Sequence, residues 1–307
     1  MGTAYWRDAL GPDEPVYPAG ELAFELGAAP AIVESRLILA IDDDVVVGAA
    51  LQRFPLTQRV SSWIAWLYAS PGRSGIKRLL FDFAVDAALR DGRRRLGWKT
   101  PSSDEGATSF AQAVGAVPDG MLEHNRLDTR QVDCSLLRSW IEKAQERGSG
   151  YSLVGWDGPC PDQLLDEFTQ LQAVMDDAPG VQPDLVVTAT EELTRARERR
   201  WLSRGPYWRL CCRHTESGDL VGFTELQVPT TRPGLADQGD TGVRAAHRKH
   251  GLGRWLKAVN MLRLVDTCPE VRYVDTINAA GNEPMLSINR AMGFRPVLTW
   301  HRWDMCL

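Results

Sequence analysis

The sequence predicts a mixed α/β fold built twice over: two tandem domains, each a central mixed β-sheet flanked by helices. Landmarks recur in the same order about 175 residues apart, the first observation behind it. VVVGAALQRFP (45–55) stands against DLVGFTELQVP (219–229), GIKRLL (75–80) against GLGRWL (251–256), and AVGAVPD (113–119) against AMGFRPV (291–297). The second observation is a pair of strand-like runs in each copy, joined by a short acidic or glycine-containing turn, which is a hairpin signal. The third is a glycine turn leading into a long one-faced helix and then strand, helix and strand, the order of β–α–β crossovers.

Each copy opens with amphipathic helical sequence. Strands follow at 36–41 and 45–53 in the first copy, around the Asp42, Asp43, Asp44 turn, and at 208–214 and 220–228 in the second, around a turn at 216–219. A third strand and the glycine turn come next. In the second copy Leu252, Trp255, Leu256, Val259, Leu262 and Val265 form one apolar helical stripe. A strand at 271–277, a helix at 283–292 and a strand at 296–303 complete the unit. The first copy keeps an apolar skeleton through Leu79, Leu80, Phe83, Val85 and Leu89. A boundary is expected in the ERGSG stretch, giving domains 1–148 and 149–307.

Composition narrows the function classes. Hydrophobic residues make up 44% and charged residues 24%, and the net charge of −5 offers no field for nucleic acid or an anionic membrane. No apolar run reaches the roughly 18 residues of a membrane span. The opening MGTAYWRDALGPDEP has no apolar signal core, so a cytoplasmic protein is expected. Cys134, Cys160, Cys211, Cys212, Cys268 and Cys306 have no metal-ligand spacing and are read as reduced thiols; no metal is expected. Most of the eleven tryptophans, Trp63, Trp66, Trp208 and Trp255 among them, are assigned to cores.

The segment VRAAHRKHGLG (243–253) carries the chemistry. It runs from a strand into the one-faced helix. Glycine at 251 and 253 removes side chains where an anion would touch backbone, and a helix start offers unpaired N–H groups and a favourable dipole. Arg248, Lys249 and His250 add positive charge. A pyrophosphate would fit; a plain helix start is the alternative.

The order Val-x-x-x-x-Arg-x-x-Gly-x-Gly, then NAAGNEPM (278–285) and NRAMGF (289–294), resembles the GNAT acetyltransferases. With MDDAP (175–179) and ADQGDTGV (236–243) the chain is similar to tandem-GNAT proteins of actinobacteria, an architecture that includes mycothiol synthase. The resemblance implies acetyl-CoA, or another acyl-CoA, as co-substrate. Backbone at Arg248, Lys249, His250, Gly251, Leu252, Gly253 and Arg254 would hold its pyrophosphate, and the strand end at Thr241, Gly242 and Val243 would line the acyl arm. The Val243 amide would polarise the thioester carbonyl. Asn278 and Asn282 would contact the pantetheine arm or fix the loop beside it; turn formation and helix capping stay open for both.

The resemblance also implies a proton donor to the departing thiolate, commonly a tyrosine four residues before the Gly-Phe pair. Here that position is Asn289, which can hydrogen-bond a thiolate and cannot protonate it. For the base that takes the amine proton, Glu225 and Asp237 rank first and Asp240 behind them; regular strand alternation sets Asp237 on the face of Val243 and Asp240 on the other, but a bulge is expected near Val243 and would break the count. Asp176 and Asp177 border the acceptor pocket implied by the resemblance, where they would bind an ammonium group or simply form a turn. In the first copy Gly72 replaces Arg248, Lys77 replaces Gly253, Thr100 and Asp104 replace Asn278 and Asn282, and Ala111 replaces Asn289. That copy is expected to be a non-catalytic scaffold, with a second, divergent CoA site as the alternative. The expected activity is acetyl transfer from acetyl-CoA to a primary amine of a small molecule. Alternatives are a protein N-acetyltransferase and a silent acyl-CoA-binding protein. The oligomeric state is not legible, and a monomer is compatible with the sequence.

Overall fold

The computed structural model describes residues 7, 18–27, 32–147, 150–180 and 186–307. Most of the opening segment and residues 148–149 of the expected junction lie outside the described residues. The chain forms two compact units, Met1–Glu123 with Val297–Leu307, and His124–Pro296.

The first unit contains α1 (Ala19–Gly27), β1 (Val33–Asp42), β2 (Val45–Pro55), β3 (Ser61–Ala69), α2 (Ser74–Arg90), β4 (Arg95–Pro101), α3 (Glu105–Ala113), the start of β5 (Val117–Asp128) and nearly all of β11 (Arg295–Cys306). Its sheet order is β1-β2-β3-β4-β11-β5, with β3 and β4 parallel and β4 and β11 antiparallel. Leu79, Phe83 and Leu89 of the expected skeleton are exposed on α2, whereas Leu80 is buried.

The second unit contains the end of β5, α4 (Cys134–Arg147), β6 (Tyr151–Asp157), α5 (Asp162–Gln172), α6 (Glu191–Leu202), β7 (Tyr207–His214), β8 (Leu220–Gln227), β9 (Leu235–Val243), α7 (Leu252–Thr267), β10 (Tyr273–Ala279) and α8 (Glu283–Met292). Its sheet order is β5-β10-β9-β8-β7-β6. The repeat junction near 148 and the unit boundary at Glu123/His124 therefore differ. Helix α4, sequence of the first copy, packs its Ile141 and Ala144 with Leu252, Trp255 and Leu256 of α7.

The repeat is written in the backbone register. In the first unit Ala40 faces Gly48, the next pair is Ile41 with Val46, and Val47 is the extra residue of a bulge. In the second, Cys212 faces Gly222, the next pair is Arg213 with Leu220, and Val221 is extra. The bulged residues even accept matching bonds, Ser70 N–H to Val47 O at 2.9 Å and Arg244 N–H to Val221 O at 2.7 Å.

Each face of the second sheet has its own helices. Trp208, Leu226, Ala236 and Val274 pack under Ala258, Met261 and Leu264 of α7. Cys211 and Phe223 pack on the other face with Leu165, Phe168 and Leu171 of α5. The α7 side buries the helix that follows the glycine turn; the α5–α6 side carries the charged groups described below.

Candidate active site

The turn between β9 and α7 leaves backbone N–H groups free. After a 3-10 turn at Ala245–His247, Lys249 and Gly251 both adopt left-handed backbone, φ 67° and 82°. The first helical bond is Trp255 N–H to Gly251 O, 3.0 Å. Six consecutive backbone N–H groups, Lys249 through Arg254, meet no acceptor among the described residues. They converge at the positive end of a 16-residue helix. A Cβ at Gly251 would find open space, so glycine there answers to its left-handed φ and leaves the approach clear. Gly253 instead faces Ile288 of α8, where an added Cβ would lie 3.6 Å from Cδ1.

The side chains of the turn have local work. Arg248 donates from Nε to Val243 O (3.0 Å), which ties the turn to the strand end, while His250 Nδ1 folds back to Arg248 O (3.0 Å). Arg254 stacks over Trp140 of α4 at 5.4 Å. A histidine group that the sequence did not single out sits alongside. Tyr151 Oη bonds His247 Nδ1 (3.0 Å), and the His214 ring lies 5.0 Å from that of His247. Burial, then the neighbouring His214, His250 and Arg244, lower the His247 pKa.

Beside the turn the sheet opens. The parallel β9–β10 ladder has three pairs and ends at Asp237 opposite Asp275. Thr276 Oγ1 still reaches Gln238 O at 3.2 Å, and no ladder pair follows. On the other edge β9 stays paired with β8. The Arg244 N–H to Val221 O bond identifies Gly222–Val243 as a non-hydrogen-bonded antiparallel pair, so the Val243 N–H points away from β8 and into the opening. Two residues earlier on the same strand, by the same alternation, Thr241 does likewise. Gly242 has a packing reason, because a Cβ there would lie 2.3 Å from Val174 Cγ2.

The bulge falls at residues 239 and 240, opposite Glu225. It breaks the alternation that would set Asp237 and Val243 on one face, as the bulge expected near Val243 implies. Val243 packs with Leu256 on the α7 side, whereas Asp237 pairs with Arg204 and Arg232 on the other. Asp240 lies on the side of Glu225, opposite to Val243, as regular alternation also had it. Glu225 is buried and accepts from Arg209 Nε at 2.9 Å; Arg209 also donates to Glu198 of α6 at 2.8 Å. Asp240 lies at the solvent edge of the bulge, where desolvation of its carboxyl group, then the nearby Glu225 charge, push it up to about 6, against the opposing Arg197. A carboxylate of that pKa is suited to take a proton near neutral pH. Asp237, held by two guanidinium groups, is less available than the sequence ranking assumed.

Asn282 is the N-cap of α8, accepting from Met285 N–H, and Asp104 caps α3 at the matching place in the first unit. Capping is thus a job both residues perform. Asn278 Oδ1 accepts from Asn289 Nδ2 at 2.8 Å. Asn289 is 1% exposed, and its own Oδ1 meets no partner among the described residues. Asp176 and Asp177 are exposed just after α5. Among the described residues no cluster of metal-ligating side chains forms, the six cysteines are unpaired, and no helix is long and apolar enough to cross a membrane.

Sequence reasoning missed Lys257, Asn260 and Gln238, all buried on the α7 side of the opening. A signal was present: Lys257 directly follows Leu256 in the helical stripe, but a lysine on a helix is by default given to solvent.

Neither a family model nor a curated protein matches the sequence. Solved structures do match. A tandem GNAT protein from the clavulanic acid biosynthesis pathway, solved without AcCoA, is 27% identical over 99% of this chain and 94% of its own, with a TM-score of 0.76. A GCN5-related N-acetyltransferase from Sphaerobacter thermophilus is 17% identical over 99% and 90%, with a TM-score of 0.69. A GCN5-related glucosamine N-acetyltransferase region of a fungal multi-domain protein is 15% identical, with a TM-score of 0.70; the match covers 99% of this chain and 36% of that one. The fold is that of the GCN5-related N-acetyltransferases. In its two-unit form, it is the fold of the tandem GNAT proteins.

Proposed function

We propose that the chain is an N-acyltransferase that moves an acetyl group from acetyl-CoA to the primary amine of a small molecule, and that it does so in the second unit. The observation that carries this reading is the run of six unpaired N–H groups, Lys249 to Arg254, adjoining the opening between β9 and β10. Those residues fit an acyl-CoA: the turn would hold its pyrophosphate, and the Val243 N–H would bond the thioester carbonyl. Bound there, the co-substrate supplies an activated acyl carbon. Arg248 keeps the strand end and the turn in register through Val243 O. The Asp240 carboxylate takes the proton that the acceptor nitrogen sheds as it bonds the acyl carbon, with Glu225 held beside it by Arg209. The fixed Val243 N–H stabilises charge as it develops on the carbonyl oxygen.

The 27% identical structure comes from a biosynthetic pathway for a small molecule, which favours a small acceptor over a protein. Asn289 in place of a tyrosine keeps a silent acyl-CoA-binding role as the second reading. Calorimetric titration with acetyl-CoA tests the site. One site per chain supports the proposal, two sites would place a working turn in the first unit, and none would end it. Thiol release with a panel of small amines then separates enzyme from binder.

A further inference from the structure

Below the opening, on the side of α7, the second unit is polar where a core is expected. Lys257 is 1% exposed and its side chain meets no carboxylate and no hydrogen-bond acceptor among the described residues; its Nζ lies 5.6 Å from the centre of the Phe294 ring. One turn along the helix, the buried Asn260 has an unpartnered Nδ2. Gln238, the first residue past the last β9–β10 pair, has an unpartnered buried Oε1. Asn289, fixed to Asn278 near the end of β10, has an unpartnered Oδ1. Leaving one buried polar atom without a partner costs about 1–3 kcal/mol, and an unpaired ammonium costs more. Gln238 and the Asn278–Asn289 pair flank the opening, and Lys257 and Asn260 lie on the helix that packs against β9, so these buried polar groups collect on the α7 side of the second unit.

The matching positions of the first unit rule out a requirement of the fold. Phe81, Ala84, Ile64 and Ala111 stand where Lys257, Asn260, Gln238 and Asn289 stand, and all four belong to one apolar cluster. The fold accepts hydrocarbon at every one of these places.

We propose that the Lys257 ammonium is the proton donor to the thiolate that leaves during acyl transfer, supplying from α7 what Asn289 cannot supply from α8. The inference rests on the acyl-CoA reading. In the step, the acceptor nitrogen bonds the acyl carbon, the carbon–sulfur bond breaks with its electron pair on sulfur, and Lys257 Nζ gives that sulfur a proton. The nitrogen's own proton goes to Asp240, and exchange with solvent restores both side chains. Burial lowers Lys257 to about 7, with no charged neighbour contributing, so the amine is partly protonated and a ready donor at neutral pH.

The test is a pH titration of bound CoA, following thiolate absorbance in the ultraviolet, on the unaltered chain and on Lys257→Met. A cation beside the sulfur favours its ionised form, so the bound thiol is expected to ionise at least tenfold more readily than the free thiol, whose pKa is about 8.5. Lys257→Met should lose that shift while its affinity for CoA changes by less than threefold. In turnover, kcat should fall by about 100-fold with KM kept, and the decline of kcat above pH 7 should vanish. Identical thiol titrations in both proteins would overturn the proposal. Absence of CoA binding by the unaltered chain would overturn the acyl-CoA reading and this inference with it. Should Lys257→Met not fold, Lys257→Leu and direct titration of the lysine amine by NMR give the same decision: an amine whose pKa does not move on CoA binding is not beside the sulfur.

Discussion

The two units share one backbone plan and differ in what they bury along it. In the first hairpin Leu37 faces Leu51; at the matching place in the second, Arg209 faces Glu225. Trp63 and Trp66 of β3 stand where Asp237 and Asp240 stand in β9, since Gly48–Ala69 and Gly222–Val243 are equivalent pairs. The turn differs as well. In the first unit it is shorter, and Arg73 N–H and Ile76 N–H are spent on Ser70 O and Arg73 O, so no run of free donors forms. Ile76 also fills the space next to Gly48, where a Cβ would lie 2.5 Å from its Cγ2. The contrast teaches that the shared bulges and crossovers are requirements of the fold, and that the charged strands, free amides and polar floor of the second unit are additions to it.

The strongest way to break that comparison is to give the second hairpin the first one's residues. Arg209→Leu alone leaves Glu198 and Glu225 buried without their shared partner, and should lower unfolding free energy by about 3–5 kcal/mol in denaturant titration. Adding Glu225→Leu should recover part of that loss, because it recreates the Leu37–Leu51 pair; no recovery would mean the two hairpins are not equivalent. Next in size is Gly251→Glu, which puts a Cβ at φ 82° and a negative charge over the amide run. Calorimetry should show acetyl-CoA affinity reduced by roughly 100-fold or more, about 3 kcal/mol of charge-assisted hydrogen bonding, with an unchanged circular dichroism spectrum.

Asp240→Asn should lower kcat/KM by about 100-fold. The carboxylate accepts a proton only when ionised, so kcat/KM of the unaltered chain should rise with pH through about 6, and the variant should lack that limb. Its raised folded pKa means that ionisation opposes folding as pH climbs from the unfolded value toward and past 6; the variant should therefore melt slightly higher at pH 8 and equally at pH 4. A lower melting temperature at pH 8 would show Asp240 to be a structural partner instead. The smallest effect is expected from Asp176→Asn with Asp177→Asn. Both carboxylates are exposed, so KM for the amine should change by about fivefold or less, and a larger change would assign them to the acceptor.

Much of the fold was legible. Helix α8 falls at the expected residues 283–292, the hairpin strands lie within a few residues of their expected limits, and the repeat reappears as matching bulges. Periodicity and turn residues carry that information locally. The carboxylates were harder: Glu225, Asp237 and Asp240 were all visible as candidates, but their order depended on a two-residue bulge that reverses side-chain direction. Lys257 and Asn260 were invisible for the opposite reason, since nothing in a helical sequence says which flank of an apolar stripe a neighbouring strand will cover.

The sequence by itself determined that one α/β unit occurs twice, that the second copy holds a glycine turn at a helix start, and that the first copy has Lys77 where that turn has its second glycine. Those properties follow from chain order and local backbone demands. Only the tertiary structure decided that β9 and β10 part after Asp237, that the Val243 N–H faces the gap, and that a lysine and three amide side chains of the second unit are buried. Each depends on which strand lies beside which and on a register set by long-range pairing, which no stretch of the chain specifies alone.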